Sequence, residues 1–163
     1  MHIEEQRIAE QSRWVLYHGT STRRLKSIIR ENRLRLPEIG DPEISLTPDR
    51  SAAEYFACGA VAGDLHDHPG EESAPVVLVI DGEGLIALNY DLQPFNYEEG
   101  ECDWENEIAC SQGIDPLSEV LIATEMVLEE RWRSYREAPA SSSAGSTSCR
   151  TDRALQTTSS GSC

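Results

Sequence analysis

In the stretch Trp14-Val-Leu-Tyr-His-Gly-Thr-Ser21, an apolar run leads a Tyr-His pair directly into a glycine and two hydroxyl residues. The apolar run predicts a buried strand, and Ser21 or Thr22 is a suitable cap for a following helix. A strand that ends in this way brings an imidazole, open backbone groups and hydroxyls to the mouth of a cleft. A plain strand end with a turn glycine and a helix cap explains the same residues, so this stretch alone leaves both interpretations open.

Length and charge restrict the class of protein. A chain of 163 residues fits one domain with a normal core. Its 29 acidic and 14 basic residues give a net charge of -15, which argues against a sequence-independent grip on a phosphate backbone. The basic residues that follow the first strand are Arg23, Arg24, Lys26, Arg30, Arg33 and Arg35. They could face a dinucleotide or a nucleic acid, but charge patterning favours a solvated helix face.

The cysteines and the hydropathy predict a cytoplasmic protein. The five cysteines include no Cys-x-x-Cys pair, so neither a disulfide framework nor a zinc knuckle is expected. No stretch approaches the ~20 apolar residues of a membrane span, and no signal peptide is evident at the N-terminus. We therefore expect no membrane partner.

Composition also predicts the domain organisation. From residue 138 the chain changes to Ser, Thr, Ala and Gly with almost no apolar content. Such a segment cannot bury enough surface to offset the entropy of ordering it, so a disordered tail is expected over residues 138–163. Residues 14–137 are then the folded domain, after a lead-in of residues 1–13.

The order of apolar patterns predicts an α+β fold. A helix is expected after the first strand, and Ser51-Ala-Ala-Glu54 has the pattern of a capping box that opens a second, alanine-rich helix. The predicted strands are residues 14–18, 44–47, 76–80, 85–88, 104–110 and 118–124. Helices come early and strands late, which indicates split sheets.

Three segments carry a resemblance to a known family. They are Tyr17-His-Gly-Thr20, then Ile44-Ser-Leu-Thr47 followed by Ser51-Ala-Ala-Glu-Tyr55, and finally Trp104-Glu-Asn-Glu-Ile108. In this order they resemble the first-strand His-Gly-Thr motif, the strand-then-helix tyrosine segment and the acidic strand start of the ADP-ribosyltransferases. The resemblance is to the His-Tyr-Glu branch, which includes diphtheria-toxin-like toxins and poly(ADP-ribose) polymerases. It implies an ADP-ribosyltransferase-like split β-sheet core with flanking helices, and NAD as co-substrate.

The resemblance also implies a role for each site residue. His18 would hydrogen-bond the adenosine ribose, the backbone of Gly19 would hold the nicotinamide amide, and Tyr55 would stack on the nicotinamide ring. Glu107 would be the catalytic carboxylate, stabilising the oxocarbenium-like charge that develops as the bond to nicotinamide breaks. The remaining pocket-lining residues would be Thr20, Ser45 and Thr47.

The acidic pair Glu105-Asn-Glu107 leaves an alternative open. It is similar to the Glu-x-Glu of the arginine-modifying branch, in which the first acid positions the acceptor, so Glu105 is a candidate for that role. The arginine and the Ser-Thr-Ser of that branch are not evident. A strand register shifted by two residues would make Glu105 the catalytic carboxylate instead. Glu107 is preferred because residues 108–110 continue directly as an apolar run.

Three further hypotheses concern other kinds of function. The segment Asp64-Leu-His-Asp-His68 suggests a metal ion, since His and Asp two residues apart can share one. No distant Cys or His partner is evident, so no metal is predicted. Another hypothesis is the RNA 2′-phosphotransferase branch of the same fold, which needs an arginine-rich phosphate pocket. The last is a non-catalytic nucleotide- or protein-binding module, which needs no catalytic glutamate.

The expected function is therefore that of an NAD-consuming glycosyltransferase, an ADP-ribosyltransferase of toxin or effector type. The acceptor is expected to be a macromolecule. The net charge favours a protein over a nucleic acid as that acceptor.

Overall fold

The computed structural model describes residues 13–40, 42–95 and 106–138, which form a mixed α/β fold. The strands are β1 (Val15–Ser21), β2 (Ile44–Leu46), β3 (Pro75–Asp81), β4 (Leu92–Pro94), β5 (Ile108–Cys110) and β6 (Leu121–Met126). The helices are α1 (Thr22–Glu31), α2 (Arg50–Asp67), α3 (Gly82–Ala87) and α4 (Glu129–Glu137). The predicted tail, from residue 139 onward, lies outside the described residues.

The strands form two small antiparallel sheets. The first has the order β1-β3-β6 and the second the order β2-β5-β4. The sheets meet where the backbones of Tyr17 and Thr47 exchange two hydrogen bonds, of 2.7 and 3.0 Å. This arrangement confirms the α+β class expected from the sequence, with β1 and β2 bounding the split between the sheets.

The two faces of the first sheet contact different partners. Side chains alternate along β1 and β3, so Leu16 and Leu78 lie on one face and Tyr17 and Val77 on the other. The first face packs in a core that includes Ile44 of β2, and the second face packs under α2. Burial on both sides explains why β3 is a continuous β-branched and aliphatic run.

Gly19 allows α2 to lie directly on β1. A Cβ atom at this position would be 2.6 Å from the backbone nitrogen of Ala57 and closer still to the carbonyl oxygen of Ala53. Both Ala53 and Ala57 are fully buried. The small residues of α2 and the glycine of β1 together set the distance between helix and sheet.

The helix caps confirm one expectation from the sequence and correct another. The Ser21 hydroxyl accepts a 3.2 Å hydrogen bond from the Arg24 amide, as expected for the cap of α1. The capping box expected at Ser51 was wrong. The carboxylate of Asp49 caps α2 instead, accepting from the Ser51 amide at 2.8 Å. Asp49 takes this position because Pro48, which lacks an N–H, ends the preceding strand segment.

Three predicted strands also need correction. Residues 85–88 were expected as a strand, but α3 occupies this region and is capped by Asp81, which accepts from the Gly84 amide at 3.0 Å. So short an apolar run fits either type of element. In the predicted strand 104–110, β5 covers only Ile108–Cys110, and residues 104 and 105 lie outside the described ranges. In the predicted strand 118–124, a 3-10 turn covers Leu117–Glu119 and β6 begins only at Leu121.

No helix in the described ranges has the length and apolar content that crossing a bilayer requires.

Candidate functional site

Three of the expected site residues come together between the two sheets. His18 lies in β1, Ser45 in β2, and Glu107 immediately before β5. The Nδ1 atom of His18 lies 2.9 Å from the carbonyl oxygen of Ser45. The hydroxyl of Ser45 donates a hydrogen bond to Oε1 of Glu107. Ser45 therefore joins the imidazole to the carboxylate through two different atoms.

Strand pairing explains why Ser45 reaches Glu107. Ser45 lies opposite Ala109 in the β2–β5 ladder, and Glu107 is two residues before Ala109, so the three side chains share one face. The backbone of Glu107 is held from the other side, because the Phe95 amide donates to its carbonyl oxygen at 2.8 Å. Glu107 is only 7% exposed. A carboxylate this deeply buried requires hydrogen-bond donors, and Ser45 supplies one.

The contact with Ser45 sets the tautomer of His18. A carbonyl oxygen can only accept, so Nδ1 of the ring carries the proton. In the neutral imidazole Nε2 is then a hydrogen-bond acceptor. Accepting a hydrogen bond from a ribose hydroxyl, the role expected of His18, requires this tautomer.

Gly19 presents its backbone at the edge of β1 that borders the split. The N–H and carbonyl of Tyr17 point away from β3, since they bond to Thr47. Backbone groups two residues apart in an antiparallel strand point the same way, so those of Gly19 also point toward this edge. The packing of α2 requires a glycine here independently of any ligand. Contact between Gly19 and a nicotinamide amide stays a prediction.

The two threonines expected in the pocket are both buried. Thr20 shares the face of β1 on which His18 lies and is 3% exposed. The hydroxyl of Thr47 accepts a 3.0 Å hydrogen bond from the Asp49 amide, just before α2. Thr47 therefore connects the bridge between the sheets to the start of α2, and a role in lining a pocket stays a prediction.

Tyr55 lies in an aromatic cluster on α2 and α4. Its ring centroid is 5.2 Å from that of Tyr135 and 6.2 Å from that of Phe56, both in edge-on geometry. The sequence did not single out Tyr135, because contacts between elements far apart in the chain leave no local pattern. Stacking of Tyr55 on nicotinamide stays a prediction, as does the role of Glu105, which lies outside the described residues.

The basic residues after β1 are largely paired with carboxylates. The carboxylate of Glu31 contacts the guanidinium groups of three of them, Arg30, Arg33 and Arg35, at 3.5, 3.2 and 2.7 Å. The hydrogen bonds from Arg35 and Arg33 hold the pKa of Glu31 below its ordinary value. Pairs with Glu71 and Asp64 occupy Arg23 and Arg24. This pairing favours the solvated helix face over a polyanion-binding surface.

Asp64, the first residue of the suggested metal segment, has a different set of partners. It is 5% exposed and accepts hydrogen bonds from the hydroxyls of Ser21 and Ser73 and from Nε of Arg24. The part of the chain that the structure describes contains no group of three or more His, Cys, Asp or Glu side chains placed to hold a metal ion. Asp64 instead fixes the start of α1 against α2.

A comparison with protein-family models and with curated proteins found no match to this chain.

Proposed function

We propose that the protein is an ADP-ribosyltransferase that transfers ADP-ribose from NAD to a macromolecular acceptor and releases nicotinamide. One observation carries this proposal. A buried carboxylate, Glu107, is linked through Ser45 to an imidazole, His18, at the split between two small antiparallel sheets. The order of these residues along the chain is also that of the family motifs that they resemble.

The chemistry needs a fixed carboxylate. In the reaction the bond between the nicotinamide nitrogen and C1′ of the ribose breaks, and nicotinamide leaves with the electron pair. Positive charge develops on the ribose, as in glycoside hydrolysis. A carboxylate that is already oriented and screened from water stabilises this charge better than a solvated one. The acceptor atom then bonds to C1′ and loses its proton.

The other expected site residues have groups that suit the binding of NAD. With the proton on Nδ1, Nε2 of His18 has the acceptor character that binding a ribose hydroxyl requires. The backbone N–H and carbonyl of Gly19 together complement a carboxamide, which both accepts and donates hydrogen bonds. The ring of Tyr55 offers a stacking partner for nicotinamide. Thr20, Ser45 and Thr47 complete the proposed pocket.

Neither of the two cysteines in the described residues, Cys58 and Cys110, is well suited to act as a nucleophile. Burial, together with the negative charge of Glu54, raises the pKa of Cys58 to about 11, and burial raises the pKa of Cys110 as well. A thiol with a raised pKa is rarely ionised near neutral pH and is therefore a poor nucleophile. Free, buried thiols also suit the reducing cytoplasm in which we propose that the protein works.

The acceptor is proposed to be a protein. The net charge of -15 and the pairing of Arg30, Arg33 and Arg35 with Glu31 disfavour the approach of a nucleic acid. Glu105 remains the candidate for positioning the acceptor.

Nicotinamide release from NAD tests the proposal. The Glu107→Gln variant keeps the shape of the side chain and an acceptor for Ser45 but removes the charge, so we expect release to fall by at least about 100-fold. Glu72→Gln is the matched control, because Glu72 is exposed in the loop before β3. In the absence of the acceptor, the activity measured is slow hydrolysis of NAD.

Two results would contradict the proposal in different ways. Undiminished release by Glu107→Gln would remove Glu107 from the chemistry. A wild-type protein that neither binds NAD nor releases nicotinamide would instead support a non-catalytic protein-binding module.

A further inference from the structure

The ring of Tyr55 is held by a residue of another helix. Its centroid lies 5.2 Å from that of Tyr135 on α4, with an angle of 67° between the ring planes. Edge-to-face pairs of this kind have a preferred geometry, because the positive edge of one ring meets the negative face of the other. The contact therefore fixes the direction of the Tyr55 ring as well as its distance from α4.

Tyr135 is itself well anchored. It stacks on Trp132, with centroids 5.9 Å apart and ring planes at 20°. Trp132 is 8% exposed and belongs to the core under α2, together with Val77 of β3. Arg136 covers the Trp132 ring, with its guanidinium carbon 5.1 Å from the centroid. The ring that contacts Tyr55 is thus connected to the central strand of the first sheet.

Other contacts hold α4 beside the same part of α2. Arg131 lies 3.7 Å from Glu54, the residue before Tyr55. The hydroxyl oxygen of Tyr135 lies 3.5 Å from the point that a Cβ atom on Gly59 would occupy. Burial raises the pKa of Tyr135, so its hydroxyl stays neutral at physiological pH. Tyr135 is therefore packed along α2 on the side that carries Tyr55.

We propose that Tyr135 is a positioning residue that holds the Tyr55 ring in the orientation in which it stacks on nicotinamide. This inference rests on the proposed function, in which Tyr55 contacts the ligand and Tyr135 does not. Without Tyr135, the Tyr55 ring loses one of the contacts that orient it, and NAD binding must then fix the ring at a cost in affinity. The loss falls on KM for NAD rather than on kcat, because Glu107, the carboxylate proposed to act on the breaking bond, lies just before β5 and not on α2.

A double-mutant cycle tests the inference, with KM and kcat of nicotinamide release as readouts. Tyr135→Leu removes the ring, and we expect KM for NAD to rise about 3- to 10-fold with little change in kcat. Tyr135→Phe keeps the ring and should retain the wild-type KM. In a Tyr55→Ala background, Tyr135→Leu should cause no further rise in KM, since the group through which it acts is gone.

The outcomes separate this inference from the proposed function. An equal rise in KM from Tyr135→Leu with and without Tyr55, or an unchanged KM in Tyr135→Leu alone, would overturn the positioning role. Should Tyr135→Leu fail to fold, Tyr135→Met fills a similar volume without a ring and takes its place in the cycle. Failure of the wild-type protein to bind NAD would overturn the proposed function, and the positioning role with it.

Discussion

Ser45 holds the candidate site together by using its backbone and its side chain for different partners. Its carbonyl oxygen accepts from His18, and its hydroxyl donates to Glu107. The strand pairing that places Ser45 opposite Ala109 brings Glu107 within reach, and the bridge between Tyr17 and Thr47 holds His18 of β1 beside Ser45. The backbone carbonyl of Ser45 therefore fixes the tautomer of the imidazole, and its hydroxyl fixes the orientation of the carboxylate.

Removing the Ser45 hydroxyl should weaken the chemistry more than the fold. In Ser45→Ala the backbone contact to His18 persists, but Glu107 loses a hydrogen bond to a buried charge, which is worth about 1.5–3 kcal/mol. We expect kcat/KM for nicotinamide release to fall about 10- to 100-fold. Ser45→Thr, which retains a hydroxyl, is the control. Equal rates for Ser45→Ala and wild type would show that the contact with Glu107 does not matter for activity.

The packing of α2 on β1 depends on the glycine at position 19. Gly19 brings the sheet close to the backbone of Ala53 and Ala57, and no flexible side chain lies between them. A change in this spacing would also shift Tyr55, which lies on the same helix. The fold and the candidate site are thus sensitive to the same contact.

Gly19→Ala, in β1, should be strongly destabilising, whereas Gly63→Ala, in α2, should not. A methyl at Gly19 meets backbone atoms, so α2 must move away from β1, at a cost of about 3 kcal/mol or more. At Gly63 a Cβ would meet only the end of the Arg24 side chain, 3.7 Å away. Alanine there should stabilise the helix by about 0.5–1 kcal/mol. Urea unfolding of both variants checks this, and similar stabilities would refute the close packing.

Asp64 ties α1, α2 and the segment before β3 together, and it makes their association sensitive to acid. Burial disfavours its charge, but the hydrogen bonds from Ser21, Arg24 and Ser73 and the charge of Arg24 outweigh this effect. The pKa of Asp64 consequently lies below its ordinary value. A carboxyl group with a lower pKa in the folded state stabilises the fold above its unfolded-state pKa, about 3.9 for Asp.

Asp64→Asn should therefore lower stability most at neutral pH. We expect the free energy of unfolding at pH 7 to fall by about 2 kcal/mol, since hydrogen bonds to a charged group are replaced by weaker ones. The gap between wild type and variant should begin to narrow as the pH drops below about 4, where Asp64 of the unfolded chain becomes protonated, and should be lost as the pH falls through the lower pKa of the folded state. Denaturant titrations across this range measure the gap. A gap that is constant with pH would mean that the Asp64 charge does not contribute.

At the scale of the whole molecule, the sequence predicts the class of fold and the neighbourhood of the site better than its details. The apolar run over residues 14–18 and the β-branched run of β3 predict their strands because local patterns suffice there, although β1 continues to Ser21. The contacts of Ser45 and Tyr135 depend on strand register and helix packing between distant segments, which no local pattern encodes. The cap at Asp49 and the helix at residues 82–87 were missed because short motifs fit more than one structure.

The net charge is also a property of the whole molecule. The chain has an excess of acidic side chains, and Arg30 of α1 and Arg33 and Arg35 after it are paired with Glu31. In the proposed function the anionic NAD is therefore held by local groups such as the His18 imidazole and the Gly19 backbone, rather than by a general positive field. The split between the two sheets is the place where these groups converge.

A crystal structure of the Glu107→Gln variant soaked with NAD is the decisive test of the proposed site. We expect NAD to lie at the split between the two sheets. The nicotinamide ribose should be beside residue 107, the carboxamide at the backbone of Gly19, and a ribose hydroxyl within hydrogen-bond distance of His18 Nε2. Dinucleotide density elsewhere on the surface, or an empty split at saturating NAD, would contradict it.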